Sequence, residues 1–112
     1  MPTFITIGYG DEAGYKATPE ALRTAAHAAD AEQQAKGTLI GMAHAPVQVR
    51  NTEDTGVETT QGPFMTSALP VAGFSLIEAA DLAEAIAIAA KAPCAICHGV
   101  VEVWPLEVHK GG

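Results

Sequence analysis

Positive charge is scarce in this chain. Six Lys and Arg stand against thirteen Asp and Glu over 112 residues, a net charge of −7. A groove that tracks nucleic-acid phosphates, or a patch that docks on an anionic membrane, needs the opposite balance. Cysteine is equally sparse. Two residues cannot staple a disulfide-rich scaffold, and no metal-cage spacing repeats. Long apolar runs are missing too. The longest helical one, Ala85 to Ala90, is stopped by Lys91 and Pro93, far short of the roughly 20 residues that span a bilayer. The first basic residue is Lys16, so the basic start and apolar core of a secretory signal are not visible. The expected setting is the cytoplasm, with reduced thiols. No Ser-His-Asp order, phosphate loop, dinucleotide fingerprint or His-x-x-x-His pair occurs.

What is present is a hydrophobic fraction of 48% with 17% charge, enough for a packed globule. The length allows one domain, taken as residues 1–107 with a tail at 108–112. Thr3 to Tyr9 is β-branched and aromatic and predicts a strand. Gly10 to Gly14 has loop chemistry. Thr18-Pro19-Glu20 starts a helix that should run to Lys36 and close at Gly37. Its buried face is expected at Leu22, Ala25, Ala26 and Ala29, with Leu22 the anchor. Arg23, His27, Asp30 and Gln34 are expected in solvent.

Thr38 to Ala45 reads as a second strand. Val47 to Arg50 and Val57 to Thr60 flank a polar turn and predict a small hairpin, and Phe64 is the expected anchor beneath the Gly62-Pro63 turn. Val71 to Ala79 is a third strand. Asp81-x-x-Glu84 caps a second helix, ended by Pro93, and Gly99 to Trp104 is the last strand, stopped by Pro105. Two strand–helix–strand units on one sheet predict an α+β, ferredoxin-like βαββαβ fold with an extra small hairpin. Helices on one face leave apolar residues on the other, and a second copy of the chain is the economical cover.

Few residues carry recognisable chemistry. Cys94-Ala95-Ile96-Cys97-His98 matches a haem-attachment motif. The sequence reading treats it as an ordinary connection, ahead of metal or redox use. A redox pair works at a helix start, and Pro93 is read here as a helix end. No cofactor and no metal site is expected. His44, near the end of the second strand, is the candidate acid/base, because His titrates near neutral pH. Glu102 is its candidate partner. Trp104 shares a face with Glu102, so a carboxylate and an indole stand ready for a small polar aromatic ligand. Arg50 and Phe64 join Trp104 as candidate ligand contacts, Arg50 either pairing with Glu58 or meeting an anion. His27 and Asp30 read as a solvated pair. An RNA-recognition module shares the element order, but its basic and aromatic residues are absent around Gly73-Phe74.

From Thr60-Gln61-Gly62-Pro63-Phe64 the chain resembles the YCII-related family, in its DGPF branch. The likeness continues through Val71 to Ala79, Asp81-Leu82-x-Glu84-Ala85, Ala92-Pro93 and Val101 to Pro105. It covers most of the chain. Three charged positions of the pattern are lost. Gln61 replaces the Asp, Met65 to Ala68 replace charges after the Phe, and Trp104 replaces an Arg. The resemblance implies a dimeric α/β barrel with a pocket beside each sheet. It implies a self-associating protein that takes a small molecule. Related enzymes on this fold act on small aromatic or lactone substrates without an organic cofactor, so a cofactor-free isomerase or lyase is the alternative to a non-catalytic pocket protein. The His–Asp pair proposed for some members is not carried over, since Ala92 stands where the Asp would be.

Overall fold

The computed structural model describes residues 1–109. Part of the expected tail, residues 110–112, lies outside the described residues. Strand β1 (Thr3–Tyr9) is followed by a short helix α1 (Glu12–Ala17) and a long one, α2 (Glu20–Ala35). Then come β2 (Leu39–Met42) and the hairpin strands β3 (Val47–Arg50) and β4 (Glu58–Gln61). The chain ends with β5 (Val71–Glu78), helix α3 (Leu82–Ala89), the one-turn helix α4 (Pro93–Ile96) and β6 (Val100–Leu106). Four strands form one antiparallel sheet in the order β2-β5-β1-β6, and β3-β4 form a separate two-stranded sheet. This is the ferredoxin-like order with the extra hairpin the sequence predicts. In one chain the four-stranded sheet is open, not a closed barrel.

Register assigns the two faces. Phe4, Thr6 and Gly8 of β1 pair with Ile77, Ser75 and Gly73 of β5 and lie on the helix-covered side, all three buried. Phe4 and Ile77 pack with Ala79 and Ala85, against which Ile88 and Val103 rest. The opposite face carries a row across the sheet: Leu39, Leu76, Ile5 and Trp104. A second row holds Phe74, Ile7 and Glu102. No helix among the described residues covers these rows. Leu39 is 71% exposed, Phe74 49% and Trp104 51%.

Several expectations are corrected. Glu12–Ala17 is a helix, not a loop. Asp11 caps it by accepting from the Gly14 N–H at 2.8 Å. Gly14 is there for close packing, since a Cβ would sit 2.6 Å from the Cys97 carbonyl oxygen. Thr18 does not cap α2; its hydroxyl turns back to the Gly14 carbonyl at 2.9 Å and closes α1. Neither Leu22, 51% exposed, nor Phe64, 78% exposed against the Arg50 guanidinium, is an anchor. The inward stripe of α2 is Arg23, Ala26, Asp30 and Gln33, all buried or half-buried. Pro93 opens α4 rather than ending a helix, because its missing N–H costs nothing in a first turn. Pro105 does not stop β6, which runs on to Leu106; β6 is an edge strand, where proline is tolerated. The hairpin and the Asp81 cap match expectation. Asp81 accepts from the Glu84 N–H at 2.8 Å.

Candidate functional site

The inward stripe of α2 explains the main hollow of the molecule. Long polar side chains keep α2 off the sheet, so it rests mainly on α4 and touches β2. Beneath it the sheet offers only small residues at its centre: Thr6, Gly8, Gly73 and Ser75. Gly73 is fixed by a close approach, since a Cβ would meet the Gly41 carbonyl oxygen at 2.5 Å. The unfilled space is a cleft of about 880 Å³ between helices and sheet. Ile40, Ile77, Ile88 and Val101 give it apolar walls.

Polar groups from the sheet and the helices line the rest of this space. Thr6 and Ser75 hydrogen-bond to each other across β1 and β5. Asp30 projects from α2, and burial raises its carboxyl above the ordinary range while His27 pulls it back down. Cys94 of α4 is also pushed up, first by burial and then by the negative ends of Asp30 and Cys97. At the rim the Tyr15 hydroxyl and His27 Nε2 are 2.8 Å apart, and the Arg23 guanidinium stacks over the Tyr15 ring at 5.0 Å. Arg23 Nε is buried with no hydrogen-bond partner among the described residues. A carboxyl that burial makes easier to protonate, a thiol and two hydroxyls against apolar walls suit a small, mostly apolar ligand with a hydrogen-bonding head.

The residues singled out in the sequence fall elsewhere. Glu102 and Trp104 do come together, on the open sheet face. Glu102 Oε1 accepts from the Tyr9 hydroxyl at 2.6 Å and, more weakly, from Trp104 Nε1 at 3.4 Å. The carboxylate raises the Tyr9 phenol, chiefly through that hydrogen bond. Arg50 and Phe64 also meet, on the hairpin: the guanidinium lies 5.7 Å over the ring. Arg50 stands opposite Glu58 in register but donates to Gln48 Oε1 at 2.9 Å. They line a separate hollow of about 370 Å³. His44 is in neither group. Strand β2 ends at Met42, so His44 sits exposed in the following loop, with no hydrogen bond to Glu102. Ile40 and Met42, its expected face-mates, pair with Ser75 and Gly73 on the helix side.

A family model for the YCII-related domain matches residues 3–108. The chain belongs to the YCII-related family. That span takes in the four-stranded sheet, the helices and the hairpin. No curated protein matches the sequence. No helix among the described residues of this YCII-related chain is long and apolar enough to cross a membrane. Nor do three His, Cys, Asp or Glu side chains among those residues gather as a metal cluster would require.

Asp30, Cys94, Thr6, Ser75 and Tyr15 were not singled out as site residues by the sequence reading. One signal for them exists. The sheet-facing side of α2 holds no large apolar residue, and the strand positions opposite it are Thr, Ser and Gly.

Proposed function

We propose that this YCII-related protein, in the DGPF branch, is a cytoplasmic homodimer that binds a small, largely apolar metabolite in the helix–sheet cleft. The observation that carries the reading is the cleft of about 880 Å³, walled in part by aliphatic side chains, with Asp30, Cys94, Thr6 and Ser75 among its polar lining. The turn at Gly62, with φ 97, supports the branch assignment, because that conformation favours the glycine of the motif. The dimer rests on the open sheet face. Leu39, Phe74, Leu76 and Trp104 form an apolar surface without a covering layer. Each such side chain that becomes fully covered contributes about 1.5–3 kcal/mol. A second copy brings the same surface, so the contact is self-complementary.

A second reading is acid–base chemistry, isomerisation or elimination on a small aromatic or lactone-type substrate. The raised carboxyl of Asp30 favours it, because a group that protonates nearer neutral pH exchanges protons more readily there. In this reading Asp30 takes the role first assigned to His44.

Native mass spectrometry of gently purified protein tests both parts. The expected spectrum is a dimer with a retained small molecule, lost in Ala29→Phe, which fills the cleft wall. Phe74→Asp on the open face should give monomer at the same concentration. A monomeric wild-type protein sinks the dimer. A dimer with no retained molecule, and no thermal shift from any compound of a small-metabolite panel, sinks the pocket reading.

A further inference from the structure

The cleft reading uses Cys94 only as a lining group and gives Cys97 no role. Both thiols are free, and they stand one helical turn apart, Cys94 inside α4 and Cys97 as its C-cap. Helix radius and rise put such Cα atoms about 5 Å apart, within the span a disulfide tolerates. Their Cβ atoms start about 5–6 Å apart in a regular helix and must close to roughly 4 Å. That movement falls on Cys97, which has already left helical geometry at φ −96 and ψ 46. His98 follows at φ 64 and then Gly99. No regular element has to break.

The two sulfurs also differ in access. Cys94 is half-buried and lines the cleft, its Sγ held over Gly8, where a Cβ would approach it to 2.9 Å. Cys97 is only 5% exposed. A small oxidant entering the cleft reaches Cys94 and not Cys97. A sulfur oxidised at Cys94 then has a shielded second thiol one turn away.

We propose that Cys94 and Cys97 form a peroxide-sensing dithiol, Cys94 the attacking sulfur and Cys97 the resolving one. The Cys94 thiolate attacks hydrogen peroxide; an S–O bond forms, the O–O bond breaks and hydroxide leaves. Cys94 becomes a sulfenic acid and the peroxide is reduced. The Cys97 sulfur then attacks that of Cys94. An S–S bond forms, the S–O bond breaks, and the hydroxyl leaves as water with the Cys97 proton. In sum, two thiols and one hydrogen peroxide give one disulfide and two waters. Because burial disfavours the Cys94 thiolate, the first step is slow at neutral pH, and the pair answers high peroxide rather than traces.

The test uses the full reduced chain, hydrogen peroxide and dimedone, a trap for sulfenic acid, read by intact mass and peptide mapping. Wild type should lose two hydrogens, carry no dimedone, show a Cys94–Cys97 bridge within one chain, and recover both thiols with reductant. Cys97→Ser should carry one dimedone on Cys94. A dimedone adduct accumulating on wild-type Cys94 overturns the resolving role. So does a bridge formed only between chains. Two thiols that stay reduced in native protein, while a denatured control oxidises, overturn the access argument without reference to any variant.

Discussion

Replacing Gly8 by Ala tests how α4 sits on the sheet. Gly8 lies in central strand β1 with no left-handed backbone requirement. Alanine there should gain about 0.4–1 kcal/mol from a less free unfolded chain. Against this, its Cβ would stand 2.9 Å from Cys94 Sγ and 3.3 Å from Cys94 Cβ. Overpacking of this kind costs roughly 1–3 kcal/mol, so Gly8→Ala should lose on the order of 1–2 kcal/mol net. Near the size of this domain that is a fall of about 4–8 °C in Tm. Cys94→Ala removes the sulfur, so the double variant should recover most of the loss, with a coupling of about 1 kcal/mol or more. Urea unfolding at one fixed protein concentration, under reductant, measures all four corners of the cycle. Gly99→Ala is the control. Its Cβ would run into the backbone carbonyls of Tyr9 and Cys94, so its larger loss should not be rescued by Cys94→Ala. Additivity of Gly8→Ala and Cys94→Ala would refute the placement of the thiol over β1.

Two further outcomes follow from the titrating groups. Burial raises the Asp30 carboxyl in the folded chain, so the native state binds a proton more tightly than the unfolded one. Stability attached to this group is therefore full below the ordinary Asp range and falls as pH rises through the raised folded value. Asn at this position should flatten that fall: urea midpoints of Asp30→Asn and wild type should converge in acid and separate toward neutral pH, with the variant higher. The opposite sign would mean that His27 outweighs burial. Tyr9 is raised by its bond to Glu102. In a Tyr15→Phe background, Glu102→Gln should move the phenolate absorbance titration down toward the ordinary value of about 10; an unmoved curve would remove the Tyr9–Glu102 bond from the open face.

The fold was legible because its strong signals are local. β-branched Thr3 to Tyr9 and Val71 to Glu78, the Asp81 cap and the hairpin around Asn51 to Gly56 each depend on neighbours in sequence. The misread elements depend on distant contacts. Gly14 looks like a loop residue until the Cys97 carbonyl is seen against it. Pro93 looks like a stop, since proline both ends one helix and suits the first turn of the next. Leu22 is the only large aliphatic in α2, and hydrophobicity alone points it inward. The observed stripe of Arg23, Ala26, Asp30 and Gln33 is equally helical in spacing, and only the sheet below decides between the two. Glu102 and Trp104 could be paired in advance because a strand's period of two puts them on one face. His44 could not be placed, because the length of β2 is set by its pairing with β5, which stops at Gly73.

The distribution of side-chain size across the sheet runs against what a lone monomer needs. Burial of apolar area is the main stabilising term, so large aliphatics belong under the helices and small or polar residues outside. Here the central positions under α2 are Thr6, Gly8, Gly73 and Ser75, while Leu39, Phe74, Leu76 and Trp104 stand on the uncovered side. Gly73 cannot be enlarged without displacing Gly41 of β2, so one of these small residues is forced by strand packing. Gly8 is held small by the Cys94 sulfur above it, but Thr6 and Ser75 are not forced, and Val at both would replace their mutual hydrogen bond with core at no backbone cost. The pattern is economical if the outer face gains its burial from a second chain and the inner face is kept hollow for a ligand. Filling the hollow then becomes the sharpest discriminator. Thr6→Val combined with Ser75→Val, which removes both hydroxyls of the bonded pair, should raise stability if the space is merely unfilled core. It should leave stability near neutral, and abolish retention of any bound molecule, if the space is a site.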